Sequence, residues 1–349
     1  MYKDDDNRER LVDDSVQDQE EQSESSLRPE SLQEFVGQTQ IKDNIKIGIE
    51  SAKIRNAPLD HVIFYGPPGL GKTTLAHILA KEMGVNIKIT SGPAIERAGD
   101  MAAMLTGLQE GDFLFIDEIH RLNKVVEEVL YSAMEDYFLS WVVGKGLAAR
   151  NINLRVNKFC LIGATTRYSM VSAPLRDRFG SVFRLNYYNQ REMEQVLKRS
   201  SELLGSYCDE EGISAIAERS RGTPRIGNRL LRRARDFAIV KADGNITHTV
   251  AQAALDMLQV DQKGLDQSDL ALLKNLIEKF NGGPVGLETL ATSLSEEPET
   301  VMDVLEPYLM QLGFLERTPR GRMATKAAYD YLGKLFPRDQ IIQERFDGL

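Results

Sequence analysis

The residues best suited to chemistry lie in a glycine-rich segment, 66–74, which reads Gly-Pro-Pro-Gly-Leu-Gly-Lys-Thr-Thr. This spacing matches the P-loop pattern, in which backbone N–H groups surround phosphates and a lysine reaches the β- and γ-phosphates. The apolar run Val62–Tyr65 precedes the segment, and the amphipathic stretch Leu75–Met83 follows it. A strand, a loop and the positive end of a helix are therefore expected in the order that a phosphate site needs. We predict that Lys72 contacts nucleotide phosphates and that Thr73 holds Mg²⁺.

Two adjacent carboxylates, Asp117 and Glu118, end the next strongly apolar run, Phe113–Ile116. Asp117 is placed to support Mg²⁺ through its water shell, and Glu118 is placed to polarise a water that attacks the γ-phosphate. A P-loop alone indicates nucleotide binding, whereas the paired acids favour hydrolysis. His120 follows closely, and we interpret it as a structural histidine.

A hydroxyl group is expected at the end of a third apolar run, Cys160–Ala164, which leads into Thr165 and Thr166. A threonine at a strand end beside the P-loop strand can contact the γ-phosphate or the attacking water. We select Thr165 as the sensor of the γ-phosphate, although the pattern leaves open which threonine of the pair acts.

Three arginines have positions from which a guanidinium group can neutralise the negative charge that develops in the transition state of nucleotide hydrolysis. Arg176 and Arg178 lie near the predicted edge of the domain, where an arginine can enter a neighbouring subunit's nucleotide site. The alternative is an internal salt bridge with Asp177. Arg225 lies in the first turn of a predicted helix, where the dipole disfavours a cation unless an anion such as the γ-phosphate is near.

The elements that must position these residues follow from hydrophobic periodicity. Residues 27–190 alternate apolar runs with helical patterns, which predicts an α/β domain with a parallel sheet. Residues 191–260 show only helical patterns and predict a small all-helical domain. Residues 261–337 predict a winged helix, because three helices precede a β-hairpin at about 318–321. The helices are expected at Leu270–Phe280, Leu287–Ser293 and Glu299–Leu312.

Charge and composition exclude several classes of protein. The net charge of −9 is concentrated in residues 1–26, which hold ten acidic and three basic residues and predict a disordered tail. Residues 313–338, in contrast, carry six basic and two acidic residues, which favours contact with phosphate; residues 338–349 form a second tail. No apolar run is long enough to cross a bilayer, and the N-terminus lacks a secretory pattern. With only two cysteines, the chain is expected in the cytoplasm.

Taken together, the motifs resemble those of the AAA+ ATPases and, more closely, the RuvB family of Holliday-junction branch-migration motors. The similar segments follow one order over residues 27–333: Leu27–Pro29, Phe35–Gln38, Gly66–Thr74, Asp117–His120, Glu135–Tyr137, Gly163–Arg167, Ala173–Gly180, Gly222–Arg225 and Arg317–Arg322. The resemblance implies Arg178 as a finger acting across subunits and Arg225 as a second sensor. It further implies ATP contacts at Leu27, Arg28, Gly69, Gly71, Lys72, Thr73, Thr74, Glu135, Asp136, Tyr137, Arg178, Tyr188 and Arg225.

The resemblance also implies partners. A protruding hairpin at Tyr137–Leu154 would dock on RuvA, and Arg317 and Arg322 would contact duplex DNA at a Holliday junction. A homohexameric ring and an association with RuvC are implied as well. The Leu147-Ala148 pair and the acidic tail depart from the family pattern.

Two other functions are compatible with a P-loop domain followed by a winged helix. One is a clamp-loader or replication-initiator AAA+ ATPase. The other is an ATP-switched regulator that reads a DNA sequence with its winged helix. The third helix of that domain carries Glu299, Asp303 and Glu306 and no basic residue, which argues against base reading.

Overall fold

The computed structural model describes residues 26–143 and 150–337, and the described chain forms two compact units. The first unit contains the residues up to Ser206 together with Gly222–Asn228. The second contains Tyr207–Arg221 and the residues from Arg229 onward. The predicted boundary at residue 190 is not the one that separates these compact units, because the following helix belongs to the first unit.

A five-stranded parallel sheet in the order β2-β3-β6-β1-β7 forms the centre of the first unit. The strands are β1 (Val62–Tyr65), β2 (Ile87–Ser91), β3 (Phe113–Asp117), β6 (Cys160–Thr165) and β7 (Ser181–Arg184). Strands β1, β3 and β6 correspond to the predicted apolar runs Val62–Tyr65, Phe113–Ile116 and Cys160–Ala164. The side chains of β6 are buried throughout, as is typical of a parallel strand covered on both faces.

Six helices accompany this sheet in the first unit, and buried side chains of residues 98–106, 124–136 and 173–176 form one core with Ile63, Leu114 and Leu161. The helices are α1 (Thr39–Arg55), α2 (Lys72–Met83), α3 (Ala98–Thr106), α4 (Lys124–Asp136), α5 (Ala173–Arg176) and α6 (Gln190–Leu203). Helix α6 starts at a capping box in which Asn189 and Glu192 each accept a backbone N–H group. Helix α2 begins at Lys72, so the P-loop lysine is the first residue of a helix.

A separate antiparallel pair, β4 (Phe138–Val143) and β5 (Arg150–Arg155), occupies the predicted hairpin. Leu139 is buried in the core of the first unit, which anchors the base of the pair. The predicted turn around Gly144 and the Leu147-Ala148 pair lie outside the described residues.

The second unit contains helices followed by a winged helix. The first helices are α7 (Glu210–Glu218), α8 (Pro224–Lys241), which enters this unit at Arg229, and α9 (His248–Met257). The winged helix then comprises α10 (Gln267–Lys274), α11 (Leu287–Leu294), α12 (Pro298–Thr300), α13 (Glu306–Gln311), β8 (Leu315–Thr318), β9 (Gly321–Ala324) and α14 (Lys326–Tyr331). The predicted fold class is therefore confirmed.

The third predicted helix of the winged-helix domain, residues 299–312, is interrupted. A π-helical turn at Val301–Leu305 separates α12 from α13, and Pro307 stands in the first turn of α13. Proline has no N–H group to donate to the preceding turn, so the regular α-helical ladder cannot continue through it. In the part of the chain that the structure describes, no helix is long and apolar enough to span a membrane.

Candidate functional sites

Lys72 lies within the P-loop, buried against its backbone. Its ammonium group donates to the carbonyl oxygens of Gly66 and Pro67 at 2.9 Å and 2.8 Å. Burial and the nearby Arg225 cation lower the pKa of Lys72 to about 8, although the Asp117 and Glu118 carboxylates act in the opposite direction. The site therefore holds a cation whose surroundings favour the approach of an anion.

The P-loop packs directly on the first turn of α8. Gly69 has φ +76°, and a Cβ at this position would lie 2.8 Å from Cγ2 of Thr223 and 3.0 Å from Cβ of Arg225. The backbone N–H of Arg225 donates to the carbonyl of Gly69 at 3.4 Å. Only glycine permits this approach, which places Arg225 on the wall of the pocket formed by the P-loop.

An oxygen pair suited to Mg²⁺ lies at the start of α2 and the end of β3. The Oγ1 atom of Thr73 is 3.5 Å from Oδ2 of Asp117, and the backbone N–H of Glu118 donates to Oδ1 of Asp117 at 2.9 Å. Within residues 26–143 and 150–337 no group of three or more His, Cys, Asp or Glu side chains can hold a metal ion. A hydroxyl and one carboxylate fit Mg²⁺ that is bound mainly through nucleotide phosphates and water.

Glu118 occupies a strained backbone position next to Asp117. Its φ and ψ are 50° and 40°, a left-handed conformation that is unfavourable for glutamate. The carbonyl oxygen of Glu118 lies where a Cβ on Gly92 would come within 2.4 Å, so this turn depends on that glycine. The strain turns the chain sharply after β3 and leaves Glu118 on the pocket lining.

The two adjacent threonines occupy different environments. Thr165 is fully buried, and its hydroxyl lies 2.9 Å from Nδ1 of His120 while it accepts the Arg167 N–H at 3.0 Å. Thr166, in contrast, lines the nucleotide pocket. The hydroxyl that we selected from the sequence is thus directed at a histidine, and its neighbour faces the pocket.

The remaining wall of the pocket comes from the N-terminal segment and from α6. Leu27, Arg28 and Tyr188 line it, as do Gly69, Gly71 and Thr74. The Tyr188 hydroxyl donates to the Leu70 carbonyl at 3.3 Å, and burial raises the pKa of Tyr188. Among the lining residues that sequence reasoning did not select are Phe35, Val36, Arg199 and Asn228. Phe35 and Val36 belong to the segment Phe35–Gln38, which is one of those that resemble the RuvB family. No sequence signal distinguishes Arg199 and Asn228 from surface residues.

A second group of predicted ATP contacts lies elsewhere in the first unit. Arg178 pairs with Glu135 at 3.1 Å, its guanidinium carbon lies 4.6 Å from the centroid of the Tyr131 ring, and it donates to the Pro174 carbonyl at 2.7 Å. Its ion-pair partner is therefore Glu135, whereas the alternative considered from the sequence was a salt bridge with Asp177. Of the described residues Arg178, Glu135, Asp136 and Tyr137, none lines the P-loop pocket.

In the second unit, the two predicted DNA-contacting arginines converge on one carboxylate. Arg317 and Arg322 are paired across β8 and β9. Glu306, whose side chain is completely buried, accepts from Arg317 Nε at 2.5 Å and from Arg322 Nε at 2.7 Å. The side chain of Arg317 is 41% exposed and that of Arg322 only 16%, so Arg317 offers the larger charged surface.

The P-loop follows β1 and the Asp117–Glu118 pair follows β3, so both lie at carboxyl ends of strands on either side of β6. This arrangement, with a helical segment and a winged helix after it, defines the AAA+ class of P-loop ATPases. Three family models cover the chain: the Holliday junction DNA helicase RuvB P-loop domain matches residues 27–185, the RuvB AAA lid domain 188–261, and the RuvB C-terminal winged helix domain 262–333. The chain belongs to the RuvB family.

Individual relatives agree with the family models. The chain is 58% identical over 337 residues to the Holliday junction branch migration complex subunit RuvB of Dehalococcoides mccartyi, covering 97% of each chain. The subunit of the same name from Chloroflexus aggregans is 55% identical over 340 residues, again with 97% of each chain covered. The solved structure of the Thermotoga maritima RuvB Holliday junction branch migration motor is similar with a TM-score of 0.81 and 48% identity, covering 89% of this chain and 100% of that one.

Proposed function

We propose that this chain is the ATP-hydrolysing motor subunit of a Holliday junction branch migration complex, which pulls duplex DNA through the junction during recombination and repair. The observation that carries the proposal is one pocket lined by Lys72, Thr73, Asp117, Glu118 and Arg225, in a chain that belongs to the RuvB family throughout its described length. These groups are the ones that hydrolysis of a nucleoside triphosphate needs.

Each group has a role that its position supports. The Lys72 ammonium binds the β- and γ-phosphates, and Arg225, which also lines the pocket, neutralises charge on the γ-phosphate. Thr73 would hold Mg²⁺ directly, and Asp117 would hold it through the water shell of the ion. The bound ion would neutralise charge on the phosphate oxygens. Glu118 accepts a proton from the water that attacks the γ-phosphorus, and the bond to the bridging oxygen of ADP breaks.

The separation of Arg178 from the pocket supports assembly into a ring, which we propose is a homohexamer. Arg178, Glu135 and Tyr131 form a charged and aromatic cluster that does not line the chain's own P-loop pocket. In a head-to-tail ring this cluster would meet the pocket of the adjacent subunit, where Arg178 completes the charge neutralisation.

The DNA and protein partners are assigned to two hairpins. The arginines of β8–β9 suit phosphate contacts that do not depend on base sequence, as a translocating motor needs. The β4–β5 pair exposes Phe138 (44%) and Leu154 (40%), and we propose this pair as the docking element for RuvA. RuvC would join the same junction complex, and we place the assembly in the cytoplasm.

The direct test measures ATP hydrolysis and branch migration on a synthetic four-way junction, with and without RuvA. We expect branch migration that requires hydrolysable ATP and Mg²⁺ and that is lost in Lys72→Ala and Arg178→Ala. Hydrolysis without junction processing, even with RuvA present, would favour a clamp-loader or initiator function. Strong preference for one duplex sequence over random duplexes would favour the regulator.

A further inference from the structure

His120 lies in the short turn Ile119–Arg121 that follows β3, with only 3% of its side chain exposed. Its two ring nitrogens contact different groups. Nδ1 is 2.9 Å from the hydroxyl oxygen of Thr165, and Nε2 is 3.5 Å from Oε2 of Glu118. The imidazole thus stands between the proposed base and the end of β6.

The hydrogen-bond network assigns the tautomer of this ring. The Thr165 hydroxyl oxygen already accepts the backbone N–H of Arg167 at 3.0 Å and retains its own proton to donate. Donation of that proton to Nδ1 places the ring hydrogen on Nε2, where it faces the Glu118 carboxylate. The other neutral tautomer would direct a lone pair at a carboxylate, which is repulsive.

Thr165 extends the network to the P-loop and the pocket. Its carbonyl oxygen accepts the backbone N–H of Gly66, the first P-loop residue, at 3.2 Å. The next residue, Thr166, lines the pocket beside Glu118. Thr165 and Thr166 are consecutive residues, so one peptide bond links the hydroxyl partner of His120 to the lining of the pocket.

The contact between His120 and Glu118 is long enough for the Glu118 carboxylate to move relative to the imidazole ring. At 3.5 Å it is longer than an ordinary hydrogen bond, and the Glu118 side chain is 38% exposed. Glu118 can therefore change its distance from His120 without disturbing the buried side of the ring, which Thr165 holds.

We propose that His120 is a positioning residue for ATP hydrolysis, which orients the Glu118 carboxylate according to the position of Thr165. The proposal rests on the proposed function, since it assumes that Glu118 activates the attacking water. His120 is not among the residues that line the pocket, so its loss should affect the chemical step and leave ATP binding unchanged.

His61 provides a matched control in the same unit. It is also a buried histidine that contacts β6, since Nδ1 accepts the backbone N–H of Leu161 at 2.9 Å and Nε2 lies 3.3 Å from the Met134 carbonyl. Leu161 stands near the amino end of β6, whereas Thr165 ends that strand at the pocket. His61 therefore shares the structural role of a buried histidine without a link to Glu118.

The experiment compares steady-state ATP hydrolysis and thermal unfolding of the full-length protein with His120→Ala, His120→Gln and His61→Ala. We expect His120→Ala to lower kcat at least about tenfold with KM for ATP within about twofold, because a misplaced catalytic group slows chemistry without weakening binding. His120→Gln, which retains an N–H group, should recover part of kcat. His61→Ala should lower the unfolding temperature and leave kcat unchanged.

A double-mutant cycle with Thr165→Val separates positioning from a general loss of structure. If His120 acts through Thr165, the combined variant should lose little more kcat than His120→Ala alone. Additive losses, an unchanged kcat in His120→Ala, or an equal loss in His61→Ala would overturn the proposal. Absence of ATP hydrolysis in the unmodified protein, with or without junction DNA, would instead remove the proposed function on which the inference rests.

Discussion

At the scale of single residues, the charge state of Lys72 is set by its surroundings. The ammonium group is buried beside Arg225, and its pKa is lowered to about 8. In the free protein the lysine is therefore about half deprotonated near pH 8. Bound phosphates stabilise the charged form and raise this pKa, so that nucleotide binding at higher pH must take up a proton.

We predict that nucleotide affinity is nearly constant below pH 8 and falls above it, approaching tenfold per pH unit as expected for one coupled proton. The measurement is the Kd for Mg·ADP between pH 7 and 9.5, together with proton uptake in buffers of different ionisation enthalpy. Lys72→Arg should abolish the slope whatever its affinity, because the guanidinium stays protonated. A wild-type affinity that is independent of pH would contradict the prediction.

At the scale of elements, the β8–β9 hairpin depends on a carboxylate from the helix before it. Two guanidinium groups paired across the hairpin would repel each other, and Glu306 accepts hydrogen bonds from both. Arg317 also donates to the Met302 carbonyl at 3.1 Å, which attaches the hairpin to the π-helical turn. Glu306, in the acidic third helix, therefore holds the two arginines of the β8–β9 hairpin in place.

We predict that Glu306→Ala destabilises the hairpin by about 3 kcal/mol, because removal of one partner from a buried ion pair leaves charge uncompensated. Hydrogen–deuterium exchange of the full-length protein should then show amides of residues 315–324 exchanging roughly 100-fold faster. The control is Glu299→Ala, which removes an exposed carboxylate from α12 and should leave these amides unchanged. Equal exchange in both variants would show that Glu306 does not hold the hairpin.

At the scale of the whole molecule, the groups that hydrolysis needs are divided between two surfaces of the first unit. Lys72, Thr73 and Glu118 line one pocket, and the Arg178–Glu135 pair stands apart from it. Under the proposed function, a single chain would present the two halves of a composite site, which would be completed between neighbours in an assembly.

We predict that equal mixing of Lys72→Ala and Arg178→Ala restores ATP hydrolysis that neither variant shows alone. In a randomly mixed ring about a quarter of the interfaces would combine an intact pocket with an intact finger. The matched control is Arg176→Ala; Arg176 ends the short helix two residues before Arg178, and its guanidinium carbon lies 5.4 Å from the Tyr168 ring centroid. Arg176→Ala should hydrolyse ATP by itself, and a mixture no more active than its components would argue against a shared site.

The sequence alone was sufficient for the features that depend on neighbours along the chain. Strands β1, β3 and β6 were readable because buried strands are short apolar runs, and the P-loop because its glycines, Lys72 and Thr73 are contiguous. The winged helix was predicted from three helical patterns and a turn, although Pro307 interrupts the third helix in a way that periodicity does not show.

Contacts between distant segments were decided only by the tertiary structure. Glu306 looked like part of an exposed acidic helix, yet its side chain is buried under Arg317 and Arg322. His120 resembled an ordinary core histidine until Thr165 and Glu118 were placed on either side of its ring. Thr165 and Thr166 could not be distinguished by residue type, and only the structure shows that Thr165 is buried at the end of β6 while Thr166 lines the pocket. Composition and spacing determine which groups are available, whereas the packing of neighbouring elements determines the direction in which each side chain points.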